Sequence, residues 1–113
     1  DGTVLWHCTV GKDRAGMGTA FLLYALGVPM ESIIQDYLLT GICYKKKNRK
    51  LFAAITLFVR KKETKEYLRC LLSVRREFIE AALEQIKGKY ESVEKALGLT
   101  NEKITLLREK YLE

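Results

Sequence analysis

Apolar residues recur at helical spacing along most of the chain, and this pattern predicts a mostly helical protein. Three segments carry it most clearly, each with one apolar face and one polar face. Their apolar positions are Ile33, Ile34, Tyr37 and Leu38 in residues 31–40, Leu51, Phe52, Ile55, Phe58 and Val59 in residues 48–59, and Ile79, Ala82, Leu83 and Ile86 in residues 76–87. We expect these faces to point inward.

Glycine, proline and small polar residues predict where the helices begin and end. A first helix over residues 15–26 ends at Gly27, a second ends at Gly41, and the helix over 76–87 ends at Gly88. Residues 41–47 are expected to form a connection, and residues 64–72 and 92–97 two short helices. Asn48 is the expected N-cap of the third helix, and Thr100 or Asn101 that of the last.

The start of the chain follows a different pattern. Thr3, Val4, Leu5 and Trp6 favour a β-strand over about residues 3–7, and a tight polar loop separates it from the first helix. A strand, a loop and a helix N-terminus together direct backbone N–H groups and a positive dipole end towards an anion. Gly16 and Gly18 lower helix propensity, which indicates a close approach near this anion site.

Charge and composition bound the class of protein. The net charge of +6 lies in one segment, because residues 45–62 hold eight basic and no acidic side chains, whereas residues 1–44 have a net charge of −2 and residues 63–113 are neutral. The 113 residues allow one domain, no apolar run approaches a membrane span, and three cysteines form no disulfide pattern. We therefore expect a protein that does not cross a membrane.

The loop contains the candidate chemistry. Cys8 lies where oriented amides, Lys12 and Arg14 favour the thiolate, which is the nucleophilic form of cysteine. Arg14 can bind two phosphoryl oxygens at once through its guanidinium group. A cysteine and an arginine so placed indicate a site for phosphoryl transfer through sulfur.

Three other interpretations of the loop are weaker. A Walker-type phosphate loop needs a glycine five residues before Lys12 and a Ser or Thr after it, and neither is present. A zinc site needs ligand-spaced neighbours, which Cys43 and Cys70 lack. A buried structural cysteine followed by a glycine-rich turn would leave Lys12, Asp13 and Arg14 crowded together without a reason.

The run from Trp6 to Gly16, Trp-His-Cys-Thr-Val-Gly-Lys-Asp-Arg-Ala-Gly, resembles the signature loop of cysteine-dependent tyrosine phosphatases. Its His-Cys start and Gly-Lys-Asp-Arg core are most similar to the bacterial tyrosine/phosphoinositide phosphatases. The similarity continues in residues 25–29, 34–39 and 98–102, and it covers only the C-terminal part of such an enzyme. The resemblance implies a three-layer α/β phosphatase fold in the complete protein. The 113 residues would be a single, mostly helical piece of that domain with one strand.

The resemblance also implies roles for the loop residues. Cys8 would form a cysteinyl-phosphate, Arg14 would hold the phosphoryl group, and the backbone of Thr9, Val10, Gly11, Lys12, Asp13 and Arg14 would bind it. Lys12 is associated with phosphoinositide head groups and is expected at the rim of the site. No metal or cofactor is implied.

Four positions in or near the loop have supporting or open roles. Asp13 is a candidate general acid, or else an ion-pair partner that only orders the loop, and Asp36 is a weaker candidate acid. By resemblance His7 tunes the cysteine. The family usually has Ser or Thr where this chain has Ala15, and that hydroxyl would help the sulfur leave as thiolate, so Ala15 is expected to slow turnover.

The partners expected from the sequence follow from these residues. The substrate would be a phosphotyrosine protein or a phosphoinositide. Two alternative functions are a catalytically weak phosphate-binding module and a helical adaptor with a vestigial loop.

The basic run over residues 45–50 is either a solvated helix start or a contact with an anionic membrane surface, and nothing around it indicates a nucleic-acid platform. The strand is expected to pair with a second copy or an N-terminal segment, or to be distorted. The expected location is bacterial, cytoplasmic or secreted.

Overall fold

Seven helices account for most of the chain in the computed structural model, which describes residues 3–112. Residues 1, 2 and 113 lie outside this range. The helices are α1 (Arg14–Leu26), α2 (Met30–Lys47), α3 (Arg49–Phe58), α4 (Lys62–Leu72), α5 (Arg76–Tyr90), α6 (Val93–Ala96) and α7 (Asn101–Tyr111). The prediction of a mostly helical chain is confirmed.

The core lies between α1, α2, α5 and α6. It consists of Ala20, Ile33, Ile34, Tyr37, Ile79, Leu83 and Val93. The apolar faces predicted for residues 31–40 and 76–87 are confirmed, because their central side chains are buried here. An Arg76–Glu31 ion pair also joins α5 to α2, but both side chains are substantially exposed, so its contribution is modest.

Local signals at several helix ends act as predicted. Gly27 ends α1 in the left-handed conformation, with φ of 86°. Ser92 and Thr100 cap α6 and α7, each accepting a hydrogen bond from the backbone N–H three residues later. Asn48 precedes α3 as predicted, but its side chain donates to the carbonyl oxygen of Tyr44 and does not cap the helix.

The predicted ends at Gly41 and Gly88 are wrong. The second helix continues through Gly41 to Lys47, so residues 42–47 are helical, and α5 continues through Gly88 to Tyr90. Tertiary contact explains the first case, because a Cβ at Gly41 would lie 2.8 Å from the Cβ of Val74. Gly41 is therefore required for close packing of α2 against the segment before α5.

The predicted strand over residues 3–7 is not formed, since these residues adopt no regular secondary structure. A strand is stable only when its backbone groups pair with a neighbouring strand. The rest of the described chain, residues 8–112, consists of helices and their connections and offers no such neighbour. Pairing of this segment with a second copy or an N-terminal segment stays a prediction.

Helices α3 and α4 form a hairpin that contacts the remainder of the chain chiefly through α2. Ile55 is its one buried residue in the described chain. The prediction that Leu51 and Phe58 point inward is wrong, because their side chains are 43% and 80% exposed. The chain is correspondingly elongated, measuring 54 × 32 × 22 Å. Within residues 3–112, none of the helices combines the length and the apolar character needed to cross a membrane.

Two glycine substitutions test the packing at Gly41. Gly88→Ala should raise the free energy of unfolding by about 0.5–1 kcal/mol, because alanine favours the helix and no atom lies within 4 Å of its Cβ. Gly41→Ala should lower the free energy of unfolding. The crowding of its Cβ against Val74 costs roughly 1–3 kcal/mol, which exceeds the gain in helix propensity from alanine. Urea unfolding measures both. A Gly41→Ala protein as stable as Gly88→Ala would contradict the close contact.

Candidate active site

The loop between residue 7 and the start of α1 is fixed by contacts on both of its sides. Before the loop, the indole of Trp6 lies over Gly18 of α1, 3.4 Å from where a Cβ would be. After the loop, the ring of Tyr37 lies 3.2 Å from the corresponding position at Gly16. Both glycines do permit a close approach, as predicted, but the groups that approach are aromatic side chains.

The sulfur of Cys8 lies inside the turn of the loop. The backbone N–H of Gly11 donates a hydrogen bond to Sγ at 3.1 Å. Gly11 has φ of 73°, a left-handed backbone conformation that favours glycine. In this conformation the N–H of Gly11 points at the sulfur. Cys8 is half-buried, so the sulfur is still accessible from solvent.

Backbone amides lower the pKa of the Cys8 thiol to about 7. The largest contribution comes from the N–H of Ala15, followed by that of Val10, with smaller ones from Gly11 and Lys12, while burial acts in the opposite direction. Ala15 is the second residue of α1, so its N–H belongs to the helix's first turn and has no partner within the helix. The amino end of α1 therefore stabilises the thiolate.

Arg14 and Thr9 lie on the exposed side of the loop. The Nη2 of Arg14 donates to the Oγ1 of Thr9 at 3.3 Å, and both residues are exposed. The guanidinium group is thus at the surface from which an anion would approach. A planar group with two parallel N–H donors suits a phosphoryl group.

The side chain of Lys12 is buried, in contrast to the rim position expected from the sequence. Its Nζ donates to Asp13 Oδ1 at 2.7 Å and to the carbonyl oxygens of Leu71 and Ser73 at 3.1 Å each. Those carbonyls belong to the C-terminal end of α4, where backbone acceptors lack helical partners. Lys12 here connects the loop to α4, and nothing in the sequence indicated this pairing.

The side chain of Asp13 is 65% exposed and forms an ion pair with Lys12. This ion pair is one of the two roles considered for Asp13. Burial raises the pKa of Tyr37 in α2, and the negative charge of Asp13 raises it further. Asp36 is exposed on α2.

The remaining predicted residues contribute through the backbone or lie at the surface. Ala15 supplies its N–H to Cys8, and its carbonyl oxygen accepts a hydrogen bond from Thr19 Oγ1 at 3.1 Å. His7 and Val10 are exposed. Among residues 3–112, no three His, Cys, Asp or Glu side chains are grouped as metal ligands would be.

Together these features define a cysteine-centred anion site at a helix N-terminus. Comparison with known proteins places it in a family. The profile of the tyrosine phosphatase family matches residues 1–113, and the chain belongs to that family.

Two relatives agree with this assignment. A protein of Cupriavidus necator, named provisionally as a tyrosine-protein phosphatase, is 33% identical over 96 residues. These residues are 84% of this chain and 34% of the relative. A tyrosine-protein phosphatase of Nostoc commune is 48% identical over 41 residues, which are 36% of this chain and 14% of the relative. The chain thus spans about a third or less of the curated relatives it matches.

Alkylation of Cys8 tests the electrostatics of the site. Because only the thiolate reacts, the rate of iodoacetamide modification should rise with pH and reach half its maximum near pH 7. A Cys8→Ser protein gives the background from the other thiols. Ala15→Pro removes the main stabilising N–H from the first turn of α1 and should move the midpoint to higher pH, with circular dichroism as the check that α1 still forms. Ala15→Gly keeps the N–H and is the control. A wild-type midpoint at or above about 8.5, the value of free cysteine, would contradict this role of the amides.

Proposed function

We propose that the protein hydrolyses phosphate monoesters through a cysteinyl-phosphate, with phosphotyrosine as one substrate class and phosphoinositides as the other. The observation that carries the proposal is the Cys8 sulfur held by the N–H of Gly11 at the amino end of α1. A thiol with pKa of about 7 is substantially ionised at neutral pH, and the thiolate is the attacking form. The tyrosine phosphatase family of the chain supports the same chemistry.

The reaction would proceed in two steps. The Cys8 thiolate attacks phosphorus, the S–P bond forms as the P–O bond to the leaving group breaks, and a general acid protonates the departing oxygen. Water then attacks phosphorus, the S–P bond breaks, and inorganic phosphate leaves as the thiolate is restored. Arg14 would bind the phosphoryl oxygens and the loop amides would complete the cradle, since this chemistry depends on positioning and positive charge.

Asp13 is our candidate for the proton donor in the first step and the acceptor in the second. It is exposed beside the loop, and its ion pair with the buried Lys12 orients the carboxyl group. For Lys12 itself, the buried contacts favour a positioning role over direct binding of a second phosphate. His7 would act through the loop's hydrogen bonds, as in the resembling enzymes.

A second candidate function is phosphate binding with little turnover, and Ala15 favours it. The side chain of Ala15 offers no hydroxyl to stabilise the leaving thiolate when the cysteinyl-phosphate breaks down. Capture of the phosphoryl group would be intact, but release would be slow. The two candidates share the first step and differ only in the second.

The complete protein would have the three-layer α/β fold of this class of phosphatase. Val4 and Leu5 are 69% and 87% exposed, as expected for a segment whose neighbours in a sheet lie elsewhere. We propose that residues 3–7 become a strand by pairing with an N-terminal segment or a second copy. Lys45, Lys46 and Lys47 lie in the last turn of α2, where they stabilise the helix dipole, so contact of residues 45–50 with an anionic membrane is the weaker of their two roles.

A rapid-mixing experiment on the complete protein tests the proposed function. An aryl phosphate should release a burst of phenol equal to the enzyme present, followed by slower steady-state turnover, and Cys8→Ser should abolish both. Ala15→Thr should raise the steady-state rate and leave the burst unchanged. A burst without turnover would favour the phosphate-binding module, and absence of a burst and of turnover in the wild type would refute the proposed hydrolysis.

Leaving-group dependence tests the role of Asp13. Asp13→Asn should lower the rate about 10²–10⁴-fold for phenyl phosphate, whose leaving oxygen needs a proton, and far less for p-nitrophenyl phosphate. Asp36→Asn, an exposed carboxyl on α2, is the matched control and should alter neither rate. Equal losses on both substrates would assign Asp13 to ordering the loop alone.

A further inference from the structure

The turn of the α3–α4 hairpin exposes large apolar side chains. We define the hairpin tip as residues 57–62, from the end of α3 to the first residue of α4. Leu57 and Phe58 in this tip are 75% and 80% exposed. A contiguous exposed apolar surface of this kind marks a site of contact with another surface more often than an isolated exposed residue does.

Positive charge lies directly beside these apolar side chains. Arg60, Lys61 and Lys62 follow them in the chain and are exposed. The nearest acidic residue in sequence is Glu63, in the first turn of α4, where it stabilises that helix's dipole. Lys62 lies 4.0 Å from Glu66 in an exposed ion pair, so the tip combines two exposed apolar side chains with the cations of Arg60 and Lys61.

The amphiphilic character continues along the hairpin. Leu57 also lines an apolar groove of about 1010 Å³ between α2, α3 and α4. The cations on this groove are Lys45, Arg49, Arg69 and Arg75, and no acidic residue within residues 3–112 lines it. The apolar surface that begins at Leu57 thus continues into a groove bordered by positive charge.

We propose that the hairpin tip docks on an anionic lipid bilayer. Anionic headgroups match the cations, and the acyl boundary just below them accommodates Leu57 and Phe58. An acidic peptide would satisfy the charges but leave the highly exposed Leu57 and Phe58 in water. The docking surface proposed here is the tip alone; residues 45–47 lie at the end of α2, where their charges stabilise the helix dipole.

Docking of this kind goes beyond hydrolysis of phosphate esters and does not depend on Cys8. It would tether the loop near a membrane, because Lys12 joins that loop to the C-terminal end of α4, one helix length away from the tip. A phosphatase so placed would encounter membrane-borne phosphate esters at high local concentration.

Vesicle co-sedimentation of the complete protein in its Cys8→Ser form tests the docking proposal apart from catalysis. The protein should bind vesicles of equimolar phosphatidylglycerol and phosphatidylcholine, and bind pure phosphatidylcholine far more weakly. Leu57→Ser and Phe58→Ser should each lower the partition coefficient by roughly tenfold or more. Arg60→Gln and Lys61→Gln should each lower it about fivefold and weaken its dependence on salt.

Matched controls lie on α7, away from the hairpin. Leu106→Ser removes a side chain that is 64% exposed, and Lys110→Gln removes an exposed charge, and neither should alter binding. Circular dichroism checks that all variants are folded. Failure of the complete protein to bind anionic vesicles would overturn the docking proposal, as would tip variants that bind like the controls. Vesicle binding by the Cys8→Ser protein, together with an absence of phosphatase activity in the wild-type protein, would support docking while refuting the proposed function alone.

Discussion

The buried ammonium group of Lys12 constrains the site and the hairpin together. An ammonium group removed from water must donate its hydrogens within the protein, because an unpaired buried charge is strongly destabilising. Lys12 meets this requirement with one carboxylate oxygen of Asp13 and two carbonyl oxygens at the end of α4. Those carbonyls in turn gain a donor that the helix cannot supply. These bonds hold the loop against the end of α4, although the two are 59 or more residues apart in sequence.

The chemistry of Cys8 depends on the placement of α1 in the core. The N–H of Ala15 can act on the sulfur only if the first turn of α1 is fixed beside the loop. Ala20 holds the middle of α1 in the core, and Tyr37 lies against Gly16 near its start. At the other end, the guanidinium of Arg108 lies over Gly27, where cations complement the helix dipole. The ionisation of Cys8 thus depends on helix packing as much as on the loop.

The two parts of the chain differ in how they are stabilised. Helices α1, α2, α5 and α6 share one core, whereas α3 and α4 bury Ile55 alone within the described residues. A hairpin with few buried apolar contacts opens at lower free energy than the core does. Its contact with the loop through Lys12 therefore joins the core that supports the candidate site to a more adaptable element. Such an element is suited to contact an external surface without disturbing the core.

The sequence by itself determined those features that depend on near neighbours in the chain. Helical periodicity identified the buried faces of α2 and α5, Ser92 and Thr100 marked two helix starts, and the Cys-to-Arg loop indicated the candidate site. The tertiary structure decided the rest. Gly41 continues a helix because Val74 packs on it, Phe58 is exposed because no element covers it, and residues 3–7 lack a strand because no partner lies beside them. Lys12 was assigned to the rim from its place in the loop, but its acceptors are backbone carbonyls of a distant helix. Every residue carries such a carbonyl, so no residue type in the sequence could have indicated which ones would be bound.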